Sequence, residues 1–134
     1  LKKLIEEKGL ENNVEFLGHV SPQELKVLYQ TCRIFVFPST VETFGNPLVE
    51  AMACGAPIAS SNTAAMPEVL GDAAAYFNPN DILDMTHVLK RLYNDPQERF
   101  RLHEASLKQA NRYVWKETKR KTVDIIRSVN QKFR

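Results

Sequence analysis

The chain has 134 residues, a formal net charge of +2, 43% hydrophobic residues and 25% charged residues. That length suits one domain, 1–134, which buries about 70% of its unfolded surface and needs neither disulfide nor metal to fold. So small a charge argues against nucleic acid as a partner, and no apolar run reaches the roughly 18 residues of a membrane-spanning helix.

In chain order, Leu1–Leu10 (LKKLIEEKGL) reads as an amphipathic helix ended by Gly9. It opens on Leu, not Met, with no strand before it, which suggests a piece of a longer polypeptide. Val14–Leu17 (VEFL) is expected as a short apolar strand closed by Gly18. Ser21-Pro22-Gln23-Glu24 is a helix start, with Ser at the N-cap, Pro at N1 and Glu at N3. Its helix carries Leu25, Leu28 and Tyr29 on one face and ends near Cys32. Ile34–Phe37 (IFVF) is a continuous apolar run, expected as a strand buried on both faces and stopped by Pro38. Asn46-Pro47 opens the next helix, and Gly55 ends it as a C′ residue.

Pro57–Ser60 (PIAS) is another strand, Ala65–Leu70 one helical turn, and Ala73–Phe77 (AAAYF) a strand stopped by Asn78-Pro79. Asp81 caps a helix with Ile82, Leu83, Met85, Val88, Leu89 and Leu92 at helical spacing. Asp95-Pro96 ends it and starts another. A last helix spans Val114–Phe133 with Val123, Ile126 and Val129 as its stripe. Strands alternating with helices predict an α/β fold with a Rossmann-like parallel sheet and flanking helices. Such sheets take ligands beyond the C-terminal ends of their strands.

The stretch from Ile34 to Ser60 follows that rule. Glu42 and Glu50 flank the turn Gly45-Asn46-Pro47 that opens a helix, and a helix start collects unpaired N–H groups that favour phosphate. Glu50 lies one turn into the helix and points back toward its N-terminus, within reach of a diol beside the phosphates. Glu42 approaches from the other side, and Gly45 lets the backbone come close to a ligand. Phe44 is placed either to pack under the loop or to shield a sugar. A plainer reading makes both carboxylates surface groups that stabilise the helix dipole by about a few tenths of a kcal/mol. The two cysteines, Cys32 and Cys54, lie at helix ends without a CxxC partner or a histidine cluster. They read as reduced, semi-buried thiols, and no metal site is expected.

In its full context, VETFGNPLVEAMACGAPIASS resembles the Glu-x7-Glu element of retaining GT-B glycosyltransferases, glycosyltransferase family 4 (group 1). Asn13–Val20 resembles that family's nucleobase-contacting strand and loop. Met66–Ala73 resembles its PEV-GDA segment and Asn78–Asp81 its following turn. The resemblance covers essentially the whole chain and implies the carboxy-terminal donor-binding half of a GT-B fold, lacking its first strands. It implies transfer of a hexose from a UDP- or GDP-sugar to a hydroxyl with retention, in polysaccharide or glycolipid synthesis, with no cofactor besides the donor. Glu50 would bind the ribose hydroxyls and Glu42 would lie near the transferred sugar, as the catalytic candidate. Backbone around Gly45, Asn46, Pro47 and Leu48 would line the sugar and diphosphate, and Val20 would touch the base.

The resemblance also implies what is missing: a Gly-rich turn, a basic pair for the diphosphate and an amino-terminal acceptor domain. The isolated segment is therefore expected to be inactive, a nucleotide-sugar-binding or interaction module. Without the upstream strands, either Val14–Leu17 pairs with Ile34–Phe37 in a four-stranded sheet, or an open edge invites a sheet-edge dimer. A cytoplasmic place is expected, with peripheral association at the inner membrane face left open by the basic run Lys116, Lys119, Arg120 and Lys121. His19 reads as a solvent-exposed loop histidine, with a place lining the base pocket as the alternative, and His87 and His103 as surface residues. Glu68 reads as a turn residue, and Trp115 as a core or inter-domain contact. Receiver and flavodoxin-like modules fit poorly, since no predicted strand ends in Asp and Gly18-His19-Val20 is no phosphate loop.

Overall fold

A computed structural model describes residues 1–132. The helices are α1 (Lys2–Glu7), α2 (Pro22–Thr31), α3 (Asn46–Ala53), α4 (Met66–Leu70), α5 (Ile82–Asn94), α6 (Pro96–Ala110) and α7 (Trp115–Lys132). The strands are β1 (Phe35–Phe37), β2 (Ile58–Ser61) and β3 (Ala74–Phe77), the last entered through a 3-10 turn at Gly71–Ala73. Helix starts follow the sequence closely. Ser21 N–H donates to Glu24 Oε2 at 2.8 Å while Glu24 N–H donates to Ser21 Oγ at 3.3 Å, a reciprocal capping box. Asp81 Oδ1 accepts from the amides of Leu83 and Asp84, and Asp95 Oδ1 from that of Glu98.

All strand pairs are parallel, in the order β1-β2-β3. Val36 lies opposite Ala59, and Ala59 opposite Ala75. Strand alternation sends Ile58 and Ala74 into a core with Leu48, Met52, Met66 and Leu70 on one face. Ala59, Ala75 and Phe77 join Val88, Leu92 and Leu102 on the other. Every residue of β2 is buried, as both-face coverage of a central parallel strand demands. The α/β fold with a parallel sheet and flanking helices is thus the one expected.

Two strand expectations are corrected. Ile34–Phe37, the most apolar run, is not the doubly buried strand: β1 is an edge strand, and Val36 is 36% exposed. Phe35 and Phe37 turn toward the core cluster with Tyr29, Val36 turns to the opposite face and joins no core cluster, and no strand pairs beyond β1 among the described residues. Val14–Leu17 forms no strand at all. Its backbone finds no ladder partner and Val14, Phe16 and Leu17 stay exposed. The four-stranded arrangement with Val14–Leu17 beside β1 is therefore not formed, and the sheet keeps an open edge at β1. On α5, Ile82 and Leu83 in the first turn are exposed and fall outside the buried stripe of Val88 and Leu92. The expected end of the last helix at Phe133 lies outside the described residues. Within them, Ile126 and Val129 are exposed and Val123 is half-buried.

Candidate functional site

The loop after β1 is fixed from below by the end of β2. Ser61 Oγ donates to the carbonyl of Ser39, and Thr63 Oγ1 donates to that of Thr40. This ties Ser39 and Thr40, the start of the loop, to the C-terminal edge of the sheet, where parallel sheets take ligands. At the end of the loop, Gly45 is the N-cap of α3 with φ +80° and ψ +65°, and no side chain caps the helix. A Cβ at Gly45 would sit 2.9 Å from Leu48 Cδ1, and Leu48 is wholly buried. The turn therefore requires glycine twice over, for its left-handed backbone and for the close approach of Leu48.

Leu48 N–H is already bonded to the Gly45 carbonyl at 2.9 Å. Pro47 has no N–H to offer. Among the described residues the amide of Asn46, the first of the helix, has no acceptor, so it is the orphan donor that the helix start presents outward. Along α3 the structure brings several expected residues together. A cavity of about 590 Å³ is lined by Val20, Glu50, Tyr29, Pro22, Leu25 and His19, among others. Val20 and Glu50, assigned to base and ribose, thus share one hollow between α2 and α3. A second cavity, of about 420 Å³, joins Phe44, Asn46 and Glu50 to Tyr113, Trp115 and Thr118. Glu50 is the wall between the two.

Glu42 lines neither hollow. It is half-buried in the loop, and its Oε1 accepts from Ser39 Oγ at 3.1 Å. Phe44 is 41% exposed and stands edge-on to the Tyr113 ring, with centroids 5.6 Å apart. Trp115 is 86% exposed, so it is no core residue. Glu68 is exposed in the first turn of α4. Among the described residues no ion pair involves Glu42 or Glu50.

Two contacts escape a reading of sequence alone. Tyr29 Oη donates to Glu50 Oε2 at 3.5 Å, joining α2 to the site helix. Burial, then the neighbouring Glu50 charge, pushes the Tyr29 phenol up to about 12. The available signal was a phenol on an otherwise apolar helix face, since a buried hydroxyl needs an acceptor. His103 is not a plain surface residue: its Nδ1 lies 2.7 Å from the Gly55 carbonyl, so it carries the proton there and donates. With Ser106 Oγ donating to the Ala56 carbonyl, α6 thereby fastens the turn that ends α3. Cys32 and Cys54 are free and half-buried, and burial pushes the Cys32 thiol up.

The profile of "Glycosyl transferases group 1" matches residues 1–109. The chain belongs to this glycosyl transferase family. It is 36% identical to O-antigen chain mannosyltransferase B of Escherichia coli over 125 residues, covering 92% of this chain and 32% of that protein. It is 35% identical to the MMP alpha-(1->4)-mannosyltransferase of Mycolicibacterium hassiacum, covering 92% of this chain and 31% of that protein. The structure of Anabaena Alr3699/HepE in complex with UDP superposes with a TM-score of 0.85 at 25% identity, over 95% of this chain and 35% of that one. Sucrose-phosphate synthase from Thermosynechococcus elongatus shares the fold, with a TM-score of 0.88 at 23% identity, over 97% of this chain and 33% of that one. The group 1 chain described here thus spans about a third of the length of these relatives.

Proposed function

We propose that this group 1 segment is the donor-binding, carboxy-terminal part of a retaining family 4 glycosyltransferase. The enzyme transfers a hexose from a UDP- or GDP-sugar to an acceptor hydroxyl in polysaccharide or glycolipid synthesis, and takes no cofactor besides its donor. The observation that carries the reading is Glu50, which shares one hollow with Val20 and the adjoining hollow with Asn46. Base, ribose and diphosphate occur in that order in a nucleoside diphosphate sugar, and these groups offer an apolar contact, a carboxylate and a helix start in the same order. Two mannosyltransferase relatives and a neighbour solved with UDP support it.

In this mechanism, Glu50 accepts hydrogen bonds from the ribose diol and anchors the donor. The α3 N-terminus, with the Asn46 amide, stabilises charge that grows on the departing diphosphate. Glu42, steadied by Ser39, lies at the sugar end and is the catalytic candidate. The acceptor wall comes from polypeptide outside this chain, and the enzyme works on the cytoplasmic side, at the membrane face. The 134-residue segment by itself binds donor weakly and does not turn over. Calorimetry with UDP- and GDP-sugars on the product of the complete reading frame tests the proposal, with Glu42→Ala expected to abolish turnover and Glu50→Ala to abolish binding. Absence of binding, or unchanged turnover in both variants, refutes it. Turnover by residues 1–134 alone would refute the division of labour.

A further inference from the structure

We propose that Tyr29 is a positioning residue of the donor site. Its hydroxyl holds one oxygen of the Glu50 carboxylate and turns the other toward the ribose diol, so that the site selects ribonucleotides over 2′-deoxyribonucleotides. This rests on the donor-binding reading above. Tyr29 comes from α2 and Glu50 from α3, yet both line the same hollow with Val20. The Tyr29 ring is 7% exposed and meets Phe35 edge-on, with centroids 5.1 Å apart and planes at 90°. A ring clamped by the core in this way has little freedom to swing, so its hydroxyl is a fixed point. That hydroxyl reaches Glu50 Oε2 at 3.5 Å.

Glu50 itself is exposed, and no ion pair among the described residues restrains it. A free glutamate loses rotamer freedom when it clasps a ligand, and a donor fixed in the protein removes part of that loss beforehand. Core packing needs only the aromatic ring. The hydroxyl adds nothing to the apolar contact with Phe35, and its one acceptor is the carboxylate assigned to ribose. Burial and the Glu50 charge keep the phenol protonated, and so a donor, far above neutral pH.

The test uses the product of the complete reading frame. UDP and GDP are titrated by calorimetry, and the tighter one is compared with its 2′-deoxy counterpart in wild type and Tyr29→Phe. The substitution is expected to weaken the ribonucleotide about fivefold and the 2′-deoxynucleotide by less than about twofold. Equal weakening of both, or of neither, overturns the inference while leaving the donor reading intact. If wild type binds neither UDP nor GDP, the donor reading falls and takes this inference with it. A second measurement does not depend on Tyr29→Phe folding. With ¹³C-labelled tyrosine, the Tyr29 phenol is expected to titrate at lower pH in Glu50→Gln than in wild type. An unmoved titration shows that the contact is not made, and overturns the inference.

Discussion

Substituting Gly45 by alanine tests the reasoning about the α3 start most sharply. Two penalties are expected there. An L-residue in the left-handed region costs about 1–2 kcal/mol, and Gly45 sits at φ +80° and ψ +65°. The new Cβ would also lie 2.9 Å from Leu48 Cδ1 and 3.4 Å from its Cγ. Leu48 has no accessible surface, so its Cδ1 must shift within the packed core, and this overpacking adds about 1–3 kcal/mol. Gly45→Ala should therefore destabilise by about 3 kcal/mol. The clash is made with Leu48 beyond its Cβ, so it should vanish in a Leu48→Ala background, where only the backbone penalty remains. Leu48→Ala alone leaves a cavity costing about 2–5 kcal/mol. Urea unfolding of the four chains of this cycle, read by circular dichroism at low temperature, gives the coupling. The double variant is expected to be more stable than the sum of singles predicts, by about 1–3 kcal/mol. Additivity to within about 0.5 kcal/mol would refute the close-contact argument and leave only the backbone penalty.

Alkaline stability offers a second test. Burial first, then nearby negative charge (Glu50 for Tyr29, Asp72 for Tyr76), raises both phenols from 10.0 to about 12. The native state then holds those protons more tightly than the unfolded state. Their stabilisation is complete below pH 10 and is lost as pH rises through about 12. The urea midpoint should fall across that window, and a flat profile contradicts the buried phenols. His103→Ala should lower stability by about 1 kcal/mol, through loss of the bond to the Gly55 carbonyl. Asparagine there should recover part of it if its amide reaches the carbonyl, and a neutral His103→Ala would show that α6 does not fasten this turn. Gly55→Ala should cost more, because its Cβ would meet the His103 ring at 2.6 Å and φ is +73°.

Local chemistry was legible in the sequence, and lateral neighbours were not. The capping residues Ser21, Asp81 and Asp95 each do what their spacing with the next residues implies, because a cap depends on three or four consecutive residues. Strand coverage depends on elements distant in sequence. Ile34–Phe37 and Pro57–Ser60 both have strand character in sequence, but only the sheet order decides that β2 is central and β1 is the edge. The more apolar sequence took the more exposed place. VEFL had strand composition without a partner, and composition cannot supply one.

The same division holds within the site. The turn at Gly45 and the helix it opens were readable because glycine, proline and the following apolar residues specify them locally. The bond from Tyr29 to Glu50 spans 21 residues: the phenol on an apolar helix face signals a need for an acceptor, but nothing nearby in sequence says which. His103 reaches 48 residues back to Gly55. Both long contacts converge on α3, one at the carboxylate on its second turn and one just past its last. The short helix between Gly45 and Gly55 is thus fixed at its start by a glycine that admits Leu48, and at its end by a histidine from α6. Between these fixed points its one carboxylate, Glu50, meets a phenol from α2. A helix of eight residues has too few internal hydrogen bonds to hold such a geometry alone, since isolated helices this short are not stable in water. The precision asked of Glu50 must therefore come from the elements around α3. That makes residues remote from the Glu42–Glu50 stretch, Tyr29 and His103 foremost, part of what shapes the wall proposed for the donor.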